Sequence, residues 1–139
     1  MKFWDSSAVL PLLLWEQDTV IREGQLREDA DFVVWWGTRI ECHSALRRRL
    51  REGGIGSKDG DRALARLTAL AGSWIEVPPS EAVRLRAERL LVGHNLRAAD
   101  ALQLGAALNA FKEQTANQHF LTADARLASA AAAEGFQIR

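Results

Sequence analysis

Four acidic residues are spaced along the 139-residue chain so that each follows a predicted strand or begins a predicted helix. Asp5 ends the first predicted strand, Glu41 lies in the first helical turn after the second strand, and Asp124 lies in the first turn after the fourth. Asp100 begins a helix that leads into the fourth strand, so its first turn starts near the same sheet edge. Because ligands of an open parallel sheet bind beyond the carboxyl ends of its strands, we expect these four carboxylates to meet there.

Such a cluster of carboxylates predicts a bound cation. Two carboxylates about 4 Å apart repel each other by roughly 4 kcal/mol at an effective dielectric constant near 20. The repulsion is relieved when one acid is protonated or a cation lies between the acids. Ligand sets made only of oxygen favour Mg²⁺ or Mn²⁺, and such ions polarise phosphodiesters and activate water. The pattern therefore predicts metal-dependent phosphodiester hydrolysis.

Each acid also has an ordinary structural interpretation. Asp5 can cap a helix, and the helix dipole favours an anion in the first turn, where Asp100 and Asp124 lie. Thr38 and Glu41 have the spacing of a capping box. The periodicity of the chain alone leaves the metal site and the helix caps open as alternatives.

Short apolar segments alternate with amphipathic ones along the chain, which predicts strands alternating with helices. The predicted strands are residues 2–4, 32–36, 74–77, 119–122 and 136–138, and the second is expected to be buried on both faces. Between them, predicted helices follow Asp5, carry Val20, Ile21 and Leu26 at helical intervals, begin at Thr38, and cover residues 59–70, 80–91, 97–112 and 124–134. This order predicts an α/β/α sandwich on a mainly parallel sheet of about four to five strands, as a single domain over residues 1–139.

Composition excludes several other classes of protein. Hydrophobic residues make up 47% of the chain and charged residues 26%, which is typical of a folded domain. With 18 basic and 18 acidic residues, any nucleic-acid binding must come from local patches. The single cysteine, Cys42, excludes an intramolecular disulfide and a cysteine-based zinc finger. The chain has no apolar stretch of about 20 residues, and Asp5 stands where a signal peptide needs its apolar core, so we expect a cytoplasmic protein.

The residues around the four acids form four blocks that together span nearly the whole chain. They are Phe3 to Val9, Thr38 to Leu50, Leu96 to Leu104, and Phe120 to Leu127. The third block, Leu96-Arg97-Ala98-Ala99-Asp100-Ala101-Leu102-Gln103-Leu104, is the most specific. In order, spacing and total length, the blocks resemble the PIN-domain family, and within it the VapC-like toxins of bacterial toxin–antitoxin pairs.

The resemblance implies roles for individual residues. It implies that Mg²⁺ or Mn²⁺ and an attacking water are held by Asp5, Glu41, Asp100 and Asp124. The Thr122 hydroxyl would support the site, and Ser7 or Ser6 would orient Asp5 or a water, although capping the first helix is the favoured role of either serine. The resemblance also implies a metal-dependent endoribonuclease, a homodimer, and an antitoxin whose C-terminal segment covers the acidic cleft.

Several other residues are candidates for contacts with phosphate, RNA or an antitoxin. Arg97 begins the same helix as Asp100 and is the candidate phosphate contact. The basic run from Arg47 to Arg49 with Arg51 is interpreted as a solvated helix face rather than an RNA track. Structural roles are favoured for the remaining candidates, namely Cys42, His43, His94 and His119. Tryptophans in strands, Trp36 included, are expected in the core, and Trp15 is the candidate for antitoxin contact.

The sequence offers two alternatives to a nuclease. A phosphatase with an aspartyl nucleophile is disfavoured because Asp5-Ser6-Ser7 has no second acid two residues further on. In the other alternative, the protein is a non-catalytic PIN-like binding or scaffold module in which the acids cap helices. Binding of a divalent metal ion distinguishes the nuclease from the scaffold.

Overall fold

A five-stranded sheet forms the centre of the protein in the computed structural model, which describes residues 1–29 and 31–139. The strands are β1 (Lys2–Trp4), β2 (Phe32–Trp35), β3 (Ile75–Val77), β4 (His119–Leu121) and β5 (Gln137–Ile138). They lie in the order β3-β2-β1-β4-β5, and every pairing is parallel. The predicted α/β class and parallel sheet are therefore confirmed, with five strands.

The described part of the chain has seven helices, which connect the strands. They are α1 (Ser6–Leu13), α2 (Thr19–Glu28), α3 (Thr38–Arg51), α4 (Ser57–Ala71), α5 (Glu81–Gly93), α6 (Ala98–Ala110) and α7 (Ala125–Ala133). Among these helices, none combines the length and the apolar character that crossing a lipid bilayer would require. The predicted helices are present, with boundaries that differ by a few residues.

Alternation of side chains along the strands creates a core on each face of the sheet. Phe3 and Phe120 face one way and stack with ring centroids 5.4 Å apart, among residues of α5, α6 and α7. Trp4 and Leu121, one residue further along, face the other way among residues of α1, α3 and α4. Because successive strand residues point to opposite faces, the short central strands are buried on both sides.

Helices α5 and α6 approach each other closely at Gly105. A Cβ atom at this position would lie 3.1 Å from the backbone oxygen of Val83 and 3.1 Å from the backbone nitrogen of Ala87. These distances are tighter than ordinary packing, so the position fits glycine best. The contact fixes α6, whose first turn carries Asp100.

Of the three apolar residues that mark α2 in the sequence, Leu26 packs against the core, but the other two do not. Val20 and Ile21 are 61% and 58% exposed. The buried residues of α2 are polar: Thr19, Arg22 and Gln25. This orientation satisfies buried polar groups, because Arg22 donates to main-chain oxygens at 3.0 and 3.1 Å and Lys2 Nζ donates to the backbone oxygen of Gln25 at 2.6 Å.

Trp36 is not part of the core, contrary to the prediction. Strand β2 ends at Trp35, and Trp36 beyond it is 55% exposed. The strand tryptophans Trp4 and Trp35, and Trp74 just before β3, are buried as expected. Periodicity did not separate Trp36 from the strand because the apolar run continues one residue past the strand end.

Candidate carboxylate site

The fold brings the four acids to the carboxyl edge of the sheet. Asp5 follows β1 and caps α1, and Asp124 follows β4 and caps α7. Glu41 and Asp100 lie in the first turns of α3 and α6. Burial is the largest cause of the raised pKa of both Glu41 and Asp100; the charge of Asp5 raises the pKa of each further, and the charge of Asp124 raises that of Asp100. The acids therefore form an acidic cluster with repulsion between its members.

Asp5 is held by two hydroxyl groups and is only 3% exposed. Thr122 Oγ1 donates to Asp5 Oδ2 at 2.9 Å, and Ser7 Oγ donates to the same oxygen. Each hydroxyl also accepts a backbone N–H, from Ala123 at 2.8 Å for Ser7 and from Asp124 at 3.0 Å for Thr122. These bonds orient both hydroxyl protons toward Asp5 and tie the loop after β4 to the start of α1.

The prediction that a serine caps α1 is wrong. Asp5 is the N-cap residue, and its carboxylate accepts the backbone N–H of Ser7 at 3.3 Å. Ser6 and Ser7 are the first two residues of the helix. Their hydroxyls bond to carboxylates instead, which is the role the resemblance gave as the alternative.

Glu41 is half-buried and accepts two side-chain hydrogen bonds at Oε2. The donors are Ser6 Oγ at 2.8 Å and Gln103 Nε2 at 3.0 Å. Ser6 Oγ is also 3.3 Å from Asp5 Oδ1, so it lies between two carboxylates. Burial raises the pKa of Glu41, and the charges of Asp5 and Asp100 raise it further, against the lowering effect of the two hydrogen bonds.

The capping box predicted for Thr38 and Glu41 does not form. Gly37 is the N-cap residue of α3, and Thr38 lies inside the helix. Thr38 Oγ1 instead accepts a hydrogen bond from Gln103 Nε2 at 3.0 Å. Gln103 is fully buried and joins Thr38 to Glu41, a role that sequence reasoning missed. The available signal was its position three residues after Asp100, on the same face of α6.

Asp100 and Asp124 are held more loosely. Asp124 is exposed, and its Oδ1 accepts the backbone N–H three residues further on, at 2.8 Å. Within residues 1–29 and 31–139, the half-buried Asp100 carboxylate accepts no hydrogen bond. Burial is the largest cause of its raised pKa, ahead of the charges of Asp124 and Asp5, while Arg97 and Arg126 oppose the shift.

A hydrated divalent cation fits this set of donors. Across the described ranges, no three His, Cys, Asp or Glu side chains converge as a ready-made metal cage. Mg²⁺ keeps several of its waters and is usually bound by only one or two carboxylates. The donors here are anionic oxygens, of which Asp100 has no competing hydrogen bond, so their chemistry suits such an ion.

The other candidate residues lie outside this cluster. Arg97 is exposed and close enough to Asp100 to lower its pKa. In the basic run, Arg47, Arg48 and Arg51 are exposed, as a solvated face requires. Of the remaining candidates, Cys42 is buried, which raises the pKa of its thiol, and His94 lies 2.9 Å from Glu134, whereas His43 lines a surface cavity.

No protein-family model matches this sequence, and no curated protein is significantly similar to it. The structure itself defines the class: an α/β protein with a parallel five-stranded sheet and four acids at the carboxyl edge.

Proposed function

We propose that this protein is a PIN-domain, VapC-like endoribonuclease that hydrolyses RNA phosphodiester bonds with Mg²⁺ or Mn²⁺. The observation that carries the proposal is the placement of Asp5, Glu41, Asp100 and Asp124 at the carboxyl edge of one parallel sheet. Such crowding disfavours the metal-free anion and favours a bound cation. A bound divalent ion would polarise the phosphodiester and lower the pKa of an attacking water.

Different residues orient the carboxylates, hold the cation and contact the RNA in this proposal. Ser7 and Thr122 fix Asp5 Oδ2, and Ser6 and Gln103 fix Glu41 Oε2. Among the described residues, Glu41 Oε1 accepts no hydrogen bond, and Asp5 Oδ1 is 3.3 Å from Ser6 Oγ. Asp5, Glu41, Asp100 and Asp124 would hold the cation, while exposed Arg97 would contact a phosphate of the RNA backbone.

The biological setting follows from the same resemblance. We propose a cytoplasmic toxin that acts as a homodimer and is neutralised by a cognate antitoxin covering the acidic edge. Trp15, which is 79% exposed after α1, remains the candidate antitoxin contact. Replacing Trp15 with Ala should weaken antitoxin binding without unfolding the protein, and unchanged affinity would remove Trp15 from that interface.

Cleavage of a mixed RNA pool tests the nuclease. Wild type should cut with Mg²⁺ or Mn²⁺ and not with EDTA, and Asp100→Asn should lower the rate by about a hundredfold or more. Asp59→Asn is a matched control, because Asp59 is the third residue of α4 as Asp100 is the third residue of α6. Equal cleavage by wild type and Asp100→Asn would contradict the assignment.

A non-catalytic PIN-like binding module is the second candidate. It is favoured by the capping roles of Asp5 and Asp124, which stabilise helices without any metal. A calorimetric titration with Mn²⁺ separates the two functions. Heat of binding that disappears in Asp100→Asn supports the nuclease, and its absence in folded wild type supports the module.

A further inference from the structure

An exposed tryptophan lies at the same sheet edge as the acids. Trp36 follows β2 directly, and its backbone N–H donates to the oxygen of Val77 at 3.0 Å. Its ring packs edge-to-face on Trp35, with centroids 6.4 Å apart and an interplanar angle of 70°. The indole is therefore held in position while more than half of its surface faces solvent.

Trp36 lines a surface cavity of about 380 Å³, called here the Trp36 cavity. The other lining residues are Arg39, Ile40, His43 and Glu76. Residues three and four apart on a helix share a face, so α3 presents Arg39, Ile40 and His43 together. Glu76 accepts the indole N–H of Trp74 at one oxygen, at 3.0 Å, and keeps its negative charge. The cavity thus combines two apolar side chains with a guanidinium, an imidazole and a carboxylate.

The cavity adjoins the acidic cluster in the fold. Strands β1 and β2 are parallel neighbours, with Phe3 paired to Val33, so Asp5 and Trp36 leave adjacent strands at the same edge. Glu41 is the next residue after Ile40 in the first turn of α3. A polymer crossing the acids along this edge therefore reaches the Trp36 cavity at the neighbouring strand.

The chemistry of the cavity matches single-stranded RNA. An indole offers a flat surface on which any base stacks, and a guanidinium beside it contacts phosphate. A second copy of this chain fits less well, because standard interfaces bury roughly 20–30 residues a side and the large exposed apolar residues here are few. They are Trp36, Ile40 and the nearby Ile75.

We propose that the Trp36 cavity is a nucleobase subsite, where a base of the RNA substrate stacks on Trp36 and Arg39 contacts the adjoining phosphate. This rests on the proposed ribonuclease function and adds to it a determinant of substrate position. The base stacks beside the four acids, so the subsite sets which phosphodiester reaches them.

The test measures RNA binding by the full chain carrying Asp100→Asn, which should bind without cutting. The probe is a short, fluorescently labelled single-stranded RNA of mixed sequence, followed by anisotropy with Mg²⁺ present. Trp36→Ala should weaken binding roughly five- to a hundredfold, the range for loss of one stacked base. Trp36→Phe should retain most of the affinity. Val92→Ala removes a highly exposed apolar side chain of α5 that has no assigned role, and should leave the affinity unchanged.

A backbone probe separates stacking from charge. With an abasic oligomer of the same length, Trp36→Ala should have no effect. Arg39→Gln should weaken binding of both probes and reduce the salt dependence of affinity by about one counterion. Equal losses on both probes for Trp36→Ala would contradict base stacking.

The possible outcomes separate this proposal from the proposed function. RNA that is bound and cut by wild type, with the affinity unchanged by Trp36→Ala, overturns the subsite alone. The same holds if Trp36→Ala converts a dimer to a monomer in sedimentation while RNA affinity persists, because a second copy then covers the cavity. A folded wild type that neither binds nor cuts RNA overturns both proposals.

Discussion

The two halves of the carboxylate cluster are built differently. Asp5 and Glu41 form an inner half, in which each carboxylate accepts at least two side-chain hydrogen bonds and the partners are themselves anchored. Asp100 and Asp124 form an outer half, in the first turn of α6 and at the N-cap of α7; among the described residues, their two carboxylates accept one hydrogen bond in total, from a backbone N–H to Asp124. The inner half supports the fold and fixes its oxygens, whereas the outer half has oxygens free to bind a ligand.

Removing the carboxylate of Asp5, in the inner half, should lower the free energy of unfolding more than removing that of Asp100, in the outer half. Asp5→Ala deletes the α1 cap and leaves the hydroxyls of Ser7 and Thr122 without their acceptor, so we expect a loss of about 3 kcal/mol. Asp100→Ala removes no hydrogen bond among the described residues and should lower the free energy of unfolding by less than about 0.5 kcal/mol, if at all. Urea unfolding of both variants in EDTA measures the difference. Equal losses would remove the distinction between the two halves.

Metal binding should depend on the outer half. Mn²⁺ at about 100 times its dissociation constant would stabilise wild type by about 2.7 kcal/mol, if it binds only the folded state. Asp100→Asn and Asp124→Asn should each lose most of this gain in thermal unfolding. Asp59→Asn should keep it, and a gain retained by both site variants would place the ion elsewhere.

Thr122 tests how the inner half is anchored. Thr122→Val keeps the side-chain shape but removes both the donor to Asp5 and the acceptor for the backbone N–H of Asp124. We expect a cost of about 1–2 kcal/mol, because buried groups are left unsatisfied. Thr122→Ser retains the hydroxyl and should restore most of the stability. Urea unfolding measures the stability of both variants. If Thr122→Ser were as unstable as Thr122→Val, the Thr122 hydroxyl would not be what anchors Asp5.

The pH dependence of stability should show the cost of ionising Asp100 in the folded protein. The folded-state pKa of Asp100 is raised, so its proton is bound more tightly in the folded protein and stability falls as pH rises above about 4. Asp100→Asn should therefore be more stable than wild type at pH 7, by well under about 1 kcal/mol because solvent screens the partly exposed carboxylate, with the gain absent below pH about 4.

Asp59→Asn provides the control for the helix dipole. It loses the favourable interaction of a first-turn carboxylate with α4 and should not be stabilised at pH 7. Metal-free urea titrations at both pH values compare the variants. A gain that is the same at pH 4 and pH 7 would assign the effect to something other than ionisation.

Placement of the acids could be predicted from the sequence because it depends only on the alternation of strands and helices. Asp5 and Asp124 follow strands, and in a parallel sheet those strand ends share an edge. The hydrogen-bonding partners were less predictable, since Gln103 and Ser6 reach Glu41 from different elements. Side-chain direction across elements has no signature in a single sequence.

The buried face of α2 shows why the rest could not be predicted. The apolar side chains of this helix, Val20, Ile21 and Leu26, suggest an inward face, but Thr19, Arg22 and Gln25 follow one another at intervals of three and form the buried face instead. Which face of α2 is buried depends on its tertiary partners. One of them is Lys2 on β1, whose buried ammonium group requires oxygen acceptors and donates to the backbone oxygen of Gln25. Periodicity identifies the helix but does not show which neighbour it will meet.

The close contact between α5 and α6 at Gly105 helps to determine how accurately Asp100 is positioned. Asp100 lies five residues from Gly105, about 7.5 Å along the same helix, so a displacement of the helix axis at one residue moves the other almost equally. Binding of a reacting group demands placement within about 0.5 Å. A methyl group at Gly105 would push the helices apart by a comparable amount. Accuracy at the carboxylates is thus governed in part by a residue that touches none of them.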